Sequence, residues 1–373
     1  GITTFMTMAY ILAVNPSVLG STGMDTTAVL LATALASCLG TLCMAFMANL
    51  PFALSAGMGL NAFMAYTVVA GYGYSWQVAL LAVFIEGLIF IVLSLTNIRE
   101  AIFNAIPLTL KKGVSVGIGL FIAFIGLQNS GLCVDSATLV GIISFPENFH
   151  TAGICALLTL IGLFFTAVFY TRKMKGAILY GILLTWILGM LCQVTGLYVP
   201  TPDAGFYSLF PSWGMTDFSR LGLTFGQCFN VDFSAVGIVN FIVVIFSFLF
   251  VDIFDTLGTL IGVATKAKML DKDGKLPGIK PALMADSIAT SAGAILGTST
   301  TTTFVESASG VTEGGRTGLT SMTTGVLFLL AVVFSPLFLT IPSFATAPAL
   351  IIVGFYMMGS ALKIEFDDPA EGI

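Results

Sequence analysis

Val251-Asp252-Ile253-Phe254-Asp255-Thr256-Leu257-Gly258-Thr259-Leu260 sets two carboxylates in a run otherwise fit only for lipid. Further along, Thr300-Thr301-Thr302-Thr303-Phe304-Val305-Glu306-Ser307-Ala308-Ser309-Gly310 adds a third. An ionisable residue inside a membrane span costs about 2.5–3.5 kcal/mol on insertion scales and is by default a functional-site hypothesis. Asp252, Asp255 and Glu306 together cost on the order of 8–10 kcal/mol. That rivals the whole stability of a typical fold, about 5–15 kcal/mol, so these residues are read as functional.

The surrounding chain is a polytopic membrane protein by composition. Of its 373 residues, 57% are hydrophobic and 9% charged, against about 25% charged in soluble domains. No signal-peptide pattern precedes the first apolar stretch, Gly1 to Leu19, and the missing initiator Met suggests a trimmed start. Six cysteines stand apart with no CxxC pair, mostly in apolar runs. They are expected to act as small hydrophobes rather than as metal ligands or disulfides.

A helical span needs about 20 apolar residues. Twelve runs are candidates, at 2–20, 26–47, 51–71, 76–95, 109–127, 151–170, 176–197, 237–262, 282–297, 303–315, 318–340 and 345–360. Those at 51–71, 282–297 and 303–315 are short or rich in Gly, Ser and Thr, the pattern that points to a transporter's binding site. If each run crosses once, 13 of the 14 basic residues fall on one side. They are Arg99, Lys111, Lys112, Arg172, Lys173, Lys175, Lys266, Lys268, Lys272, Lys275, Lys280, Arg316 and Lys363; only Arg220 lies opposite. The positive-inside rule then puts the N-terminus in the cytoplasm of a multi-pass protein of the cytoplasmic membrane. The opposite loops carry Asp135, Glu147, Asp203, Asp217, Asp232 and the single histidine, His150, expected to be solvated.

A faint repeat links Ala34–Leu42, ahead of the Gly-rich segment, with Ser287–Gly297, ahead of the Thr-rich one. The copies start at the first and eighth spans, so seven spans separate them and their orientations are opposed, an inverted-topology repeat. Two copies of seven need fourteen spans. The tail Phe366–Ile373 reads as a loop leading on, so the last two spans are expected to be absent from this chain.

Asp252 and Asp255 are three apart and share a helix face, which Thr256 and Thr259 extend. The Gly297–Thr303 stretch is β-branched and a poor helix former. It is expected to be extended, with backbone groups open to a ligand, leading into a short helix after Glu306. Non-helical backbone at membrane depth is tolerated only in protein or beside a cavity. Glu306 can accept N–H donors from a planar heterocycle. In the first half, Gly57 and Gly59 permit close approach, and Asn61 offers a donor and an acceptor to one ligand edge. Glu86, in Phe84-Ile85-Glu86-Gly87-Leu88, is either a proton carrier or a packing residue. Pro16, after Asn15, is expected to break or kink the first span. Asp286 is expected to be an N-terminal charge favoured by the helix dipole, and Glu313 to pair with Arg316.

At these residues the chain resembles the nucleobase–cation symporter-2 superfamily, and within it the AzgA-like purine permeases. The resemblance rests on Thr4–Pro16, Gly57-Met58-Gly59-Leu60-Asn61-Ala62, Val251–Leu260 and Thr302–Gly310. It implies an all-α seven-plus-seven inverted repeat with core and gate domains. The core would span 1–95 and 237–340; the gate would span 109–197 and the start of its second copy, 341–373; 198–236 would be a loop. It also implies short antiparallel strands in the third and tenth segments with the base held between them, and proton-coupled uptake of guanine, hypoxanthine or adenine. By motif, Asn61, Asp252 and Glu306 look like substrate-site residues, with Asp255 tied to substrate or proton. Aligning Gly258-Thr259-Leu260 with the uracil branch puts Asp255 at the substrate carboxylate instead, so the choice between the two aspartates stays open. That branch carries a histidine where Thr259 stands here, so a coupled proton must ride on a carboxylate: Asp255, Glu306 or Glu86.

The expected function is therefore a purine symporter, not an enzyme. Phe304 would stack on the base, with Gly57, Gly59 and Thr303 lining the site. No cofactor is expected, the proton being the coupling ion. The partners are a purine base and the lipid bilayer, without nucleic acid, and a homodimer is compatible with this. An anion transporter on the same fold is the first rival, disfavoured by three acids at the site. An intramembrane aspartyl-type enzyme is the second, disfavoured by the repeat and by the lack of other catalytic groups.

Overall fold

The computed structural model describes residues 1–96, 108–136, 139–202, 205–211, 214–233, 236–266, 268–271 and 276–363. The expectations for Arg99, Asp203, Lys272, Lys275 and the tail Phe366–Ile373 lie outside the described residues, as do the side chains of Lys111, Glu147, Lys266 and Lys363.

Eight helical stretches among the described residues are long and apolar enough to cross a membrane, from Ile2–Gly20 to Gly318–Leu339. The chain is a multi-pass membrane protein. Four of the twelve apolar runs do not give such helices. Those at 51–71 and 345–360 give shorter helices, Met58–Gly71 and Ser343–Met358. The run at 303–315 is a strand end and a six-residue helix. The run at 282–297 is helical over Ile279–Leu296, but Asp286, Ser287, Thr290 and Ser291 make it too polar for lipid, and the protein buries all four.

The first run is two helices, α1 (Ile2–Met8) and α2 (Ile11–Gly20). The break falls at Ala9–Tyr10, not at Pro16, which lies inside α2. Pro16 is the sixth residue of α2, past the four whose N–H groups need no intrahelical acceptor, so it leaves the Leu12 carbonyl without its usual donor, yet the helix continues to Gly20.

The helices form two packing groups. In the first, α3 (Thr26–Cys43) and α5 (Trp76–Leu95) pack against α10 (Ile279–Leu296), and α12 (Gly318–Ala331) packs on α3. The 29-residue α9 (Ile238–Lys266) lies along α5. In the second, α6 (Leu108–Asn129), α7 (Ile154–Thr171) and α8 (Ala177–Val194) gather round α13 (Ser343–Met358). Helix α6 meets α13 at glycine on both sides. A Cβ on Gly119 would lie 2.6 Å from the Gly354 carbonyl oxygen, and one on Gly354 would lie 2.4 Å from that of Gly119. Small residues let membrane helices approach in this way. Backbone opposes backbone here, so no rotamer change relieves the clash. Gly354→Ala is expected to destabilise the detergent-solubilised protein by about 1–3 kcal/mol, as overpacking does. An unchanged melting temperature would contradict this contact.

Strand β1 (Leu54–Ala56) precedes the short helix α4 (Met58–Ala62), and β4 (Thr301–Thr303) precedes the short helix α11 (Ser307–Thr312). A small hairpin, β2 (Val134–Ser136) with β3 (Leu139–Gly141), lies elsewhere. The same strand–helix unit thus occurs once in each half of the chain. The two strands pair antiparallel, Leu54 with Thr303, Ser55 with Thr302 and Ala56 with Thr301. The short strands expected in the third and tenth segments are present.

The loop after α8 is strapped to both groups. The Trp186 indole N–H donates to the Leu209 carbonyl on one side. On the other, Thr224 Oγ1 and Gly226 N–H donate to the carbonyls of Leu296 and Ile295, end groups that α10 cannot satisfy itself. Gly297 follows at φ 104°, and a Cβ there would lie 2.2 Å from Thr224, so both backbone and neighbour demand glycine. Arg220 pairs with Asp25 at 2.7 Å. The expected Glu313–Arg316 pair does not form: Glu313 meets Lys175 at 2.5 Å, and Arg316 donates to the Val311 and Gly315 carbonyls.

Candidate functional site

The extended chain from Thr298 to Thr303 organises the polar interior by alternation. Successive side chains of a strand face opposite ways. On the even face, the Thr298 hydroxyl accepts from Asn15 Nδ2 at 2.8 Å, Thr300 donates to Glu86 Oε2 at 2.9 Å, and Thr302 donates to Asp255 Oδ2 at 3.1 Å. On the odd face, the hydroxyls of Ser299, Thr301 and Thr303 are buried with no hydrogen-bond partner among the described residues. Thr298 to Thr303 are all at most 1% exposed. One face of the segment therefore places the acids and the buried amides. The other holds donors that buried water or a ligand would satisfy.

The backbone is less open than expected. Antiparallel pairing engages it, extended by Gly57 N–H to the Thr300 carbonyl and Phe304 N–H to the Ala53 carbonyl, both 2.9 Å. Thr41 Oγ1 bonds both the N–H and the carbonyl of Leu54, and Thr290 donates to the Thr301 carbonyl. Isolated strand edges are not tolerated at membrane depth, so neighbouring hydroxyls close them.

Helix α9 presents one buried stripe at every fourth residue: Val244, Phe248, Asp252, Thr256 and Leu260, none more than 1% exposed. Asp252 lies within this stripe. The Thr256 hydroxyl is 2.9 Å from Asp252 Oδ1 and 3.0 Å from Asp286 Oδ1. Asp286 is not the helix-terminal charge expected from sequence. It is the eighth residue of α10, wholly buried against α9. Asp255 stands about 60° round the helix from Asp252 and is half-buried beside β4. The two aspartates that sequence alone could not rank thus occupy different surroundings.

Glu306, also half-buried, immediately precedes α11. Its Oε1 accepts a 2.8 Å hydrogen bond from the Tyr10 hydroxyl at the break between α1 and α2. Asp255 and Glu306 lie within electrostatic reach of one another and of Tyr10. Sequence reasoning missed Tyr10. Its signal was weak, a polar aromatic in a stretch singled out only by resemblance.

The remaining expected residues divide between site and scaffold. Gly57 leaves room for Thr302: a Cβ there would lie 2.9 Å from Thr302 Oγ1, so the glycine serves the Thr302–Asp255 bond. Gly59 faces the second packing group, a Cβ there falling 2.8 Å from Ile118 on α6. Asn61 is 1% exposed and donates to Asn15 Oδ1 at 2.9 Å; Asn15 donates in turn to Thr33 and Thr298. Phe304 is 5% exposed and packed in the core. Glu86 is fully buried on α5 against Thr300.

A family model described as "Permease family" (Xan_ur_permease) matches residues 1–370. The chain is 47% identical over 377 residues to "Guanine/hypoxanthine permease PbuG" of Bacillus subtilis, covering 98% of this chain and 81% of that one. It is 40% identical over 376 residues to "Adenine permease AdeQ" of Escherichia coli, covering 100% and 79%. It is 49% identical over 374 residues to "Putative permease MJ0326" of Methanocaldococcus jannaschii, covering 100% and 81%. Among solved structures, the transmembrane domain of a cyanobacterium bicarbonate transporter, BicA, superposes with a TM-score of 0.66 at 16% identity, covering 99% of this chain and 91% of that one. That likeness fixes the fold, the seven-plus-seven inverted repeat of transporters. The family match covers nearly the whole chain, and with it the chain belongs to the nucleobase–cation symporter-2 permeases and is a transporter.

Proposed function

We propose that this protein imports purine nucleobases, with guanine, hypoxanthine and adenine as the candidate substrates, coupled to protons and by alternating access. The observation that carries the reading is the pair of half-buried carboxylates, Asp255 and Glu306, held by Thr302 and Tyr10 at one edge of the strand pair. Two carboxylate acceptors suit the N–H groups of a planar base, and relatives at 40–47% identity are named for these purines. The strands bond directly to each other, so the base would lie beside the pair, not between its backbones. Asp255 and Glu306 would take ring N–H groups. Thr303, on the strand face opposite Thr302 and Asp255, would support the site from behind with Asn61 and Asp252. Phe304 would stack only if a shift in the core uncovered its ring. The same acids oppose an anion as substrate.

The first packing group would act as the core and the second as the gate, with Gly59 against Ile118 at the sliding contact. Glu86, Asp255 and Glu306 would carry the coupled proton, together with the Asp252–Asp286 pair. The membrane would be the cytoplasmic one with the N-terminus inside, as the Lys and Arg asymmetry suggests. A homodimer accords with this arrangement. Uptake of radiolabelled guanine, hypoxanthine, adenine and uracil, measured in purine-transport-deficient cells with and without a protonophore, tests the reading. Saturable, protonophore-sensitive uptake of a purine supports it. No uptake by protein shown to be in the membrane overturns it.

A further inference from the structure

Tyr10 is 2% exposed, and its hydroxyl donates to Glu306 Oε1 at 2.8 Å. The two residues are 296 positions apart. Tyr10 stands where the first helix is interrupted. Ala9 N–H closes α1 onto the Phe5 carbonyl, and the Tyr10 carbonyl accepts from Ala13 and Val14 to open α2. Both flanking helices thus fix the backbone that carries the phenol. Among the described residues no other side chain donates to Glu306. The carboxylate is therefore asymmetric: Oε1 carries a fixed side-chain donor and Oε2 carries none, beside a contact from the residue's own backbone N–H.

This asymmetry bears on which base the site prefers. Guanine carries two adjacent donors, the ring N1–H and the exocyclic amine, which together match both oxygens of an unencumbered carboxylate. Hypoxanthine carries only N1–H on that edge. A planar two-donor edge gains most from a carboxylate when both oxygens are open, as bidentate pairs show. A carboxylate oxygen can accept more than one donor, so with the phenol on Oε1 the second guanine donor must share that oxygen with an intramolecular one and gains less from it. We propose that Tyr10 is a specificity-determining residue: by sharing Oε1 it weakens the second contact guanine would make with Glu306 and so limits the preference for guanine over hypoxanthine. This rests on the purine reading given above.

The test is a ratio. Competition of unlabelled guanine and unlabelled hypoxanthine against radiolabelled hypoxanthine is measured for wild-type protein, Tyr10→Phe and Tyr10→Leu. The ratio of the two inhibition constants is internal to each sample, so it does not depend on how much folded protein a variant yields. Both variants are expected to shift the ratio toward guanine by roughly three- to tenfold, part of the worth of one hydrogen bond to a charged group. Weakening of both bases by the same factor, complete loss included, assigns Tyr10 a structural role and overturns the proposal. An unchanged ratio overturns it as well. A wild-type protein that binds no purine overturns the underlying reading, and the proposal with it; wild-type binding with an unmoved ratio overturns the proposal alone.

Discussion

Glu306→Gln is expected to lower purine uptake about a hundredfold while leaving the protein in the membrane. Gln has the shape of Glu and can still accept the Tyr10 hydroxyl on its one carbonyl oxygen, so the break between α1 and α2 keeps its tie to the second half. The other position then becomes an NH2 group. It would set donor against donor at a ring N–H, and the negative charge is gone. Hydrogen bonds to charged groups contribute about 1.5–3 kcal/mol, and the upper part of that range corresponds to about a hundredfold in affinity. Transport assays on cells with matched protein levels measure it. Uptake within about threefold of wild type would remove Glu306 from the binding role.

The second large effect is expected at a residue further from the base. Asp286→Asn should leave the fold and purine binding nearly intact and abolish accumulation against a gradient. The reason lies in proton counting. The Thr256 hydroxyl sits within hydrogen-bond distance of one oxygen of Asp252 and one of Asp286, yet it has one proton to give. Both contacts become hydrogen bonds only when one carboxyl supplies the second proton. Two like charges on one buried hydroxyl would also repel. An asparagine at 286 donates from its amide permanently, so the contact survives but can no longer gain and release a proton. Purine affinity of the purified protein, set beside the accumulation ratio in energised cells, separates the two functions. Retained accumulation would exclude the Asp252–Asp286 pair from coupling, and loss of both functions would mark it as structural.

The threonine segment was legible because composition and position agree. Consecutive threonines after Gly297 disfavour a helix, whereas the strand in the first half was expected only from the resemblance. Glu306 and the two aspartates were legible because charge is costly in lipid. The break at Ala9–Tyr10 was not, since neither residue is a helix breaker and the nearby Pro16 drew the prediction towards itself. The break coincides with a contact that no local pattern reveals: Tyr10 reaches Glu306, nearly 300 positions away. Asp286 was misread for a related reason. In sequence it lies near the start of an apolar run, but α10 begins at Ile279, a full two turns earlier. Only the position of Thr256 on a neighbouring helix shows what the carboxyl is for.

The pairing of β1 with β4 has a consequence for biosynthesis. The paired residues lie about 250 positions apart, and a ribosome working at about 5–20 residues per second needs roughly ten to fifty seconds to cover that distance. Through that interval the first half waits at the insertion machinery with a Ser- and Gly-containing segment whose backbone has no strand to meet. Lipid cannot satisfy it. The first half must therefore remain shielded by water, by the insertion apparatus or by a provisional fold until the threonine segment arrives. The nascent chain is most exposed to quality-control proteolysis between those two events, and cutting the gene between the halves should cost yield before it costs activity.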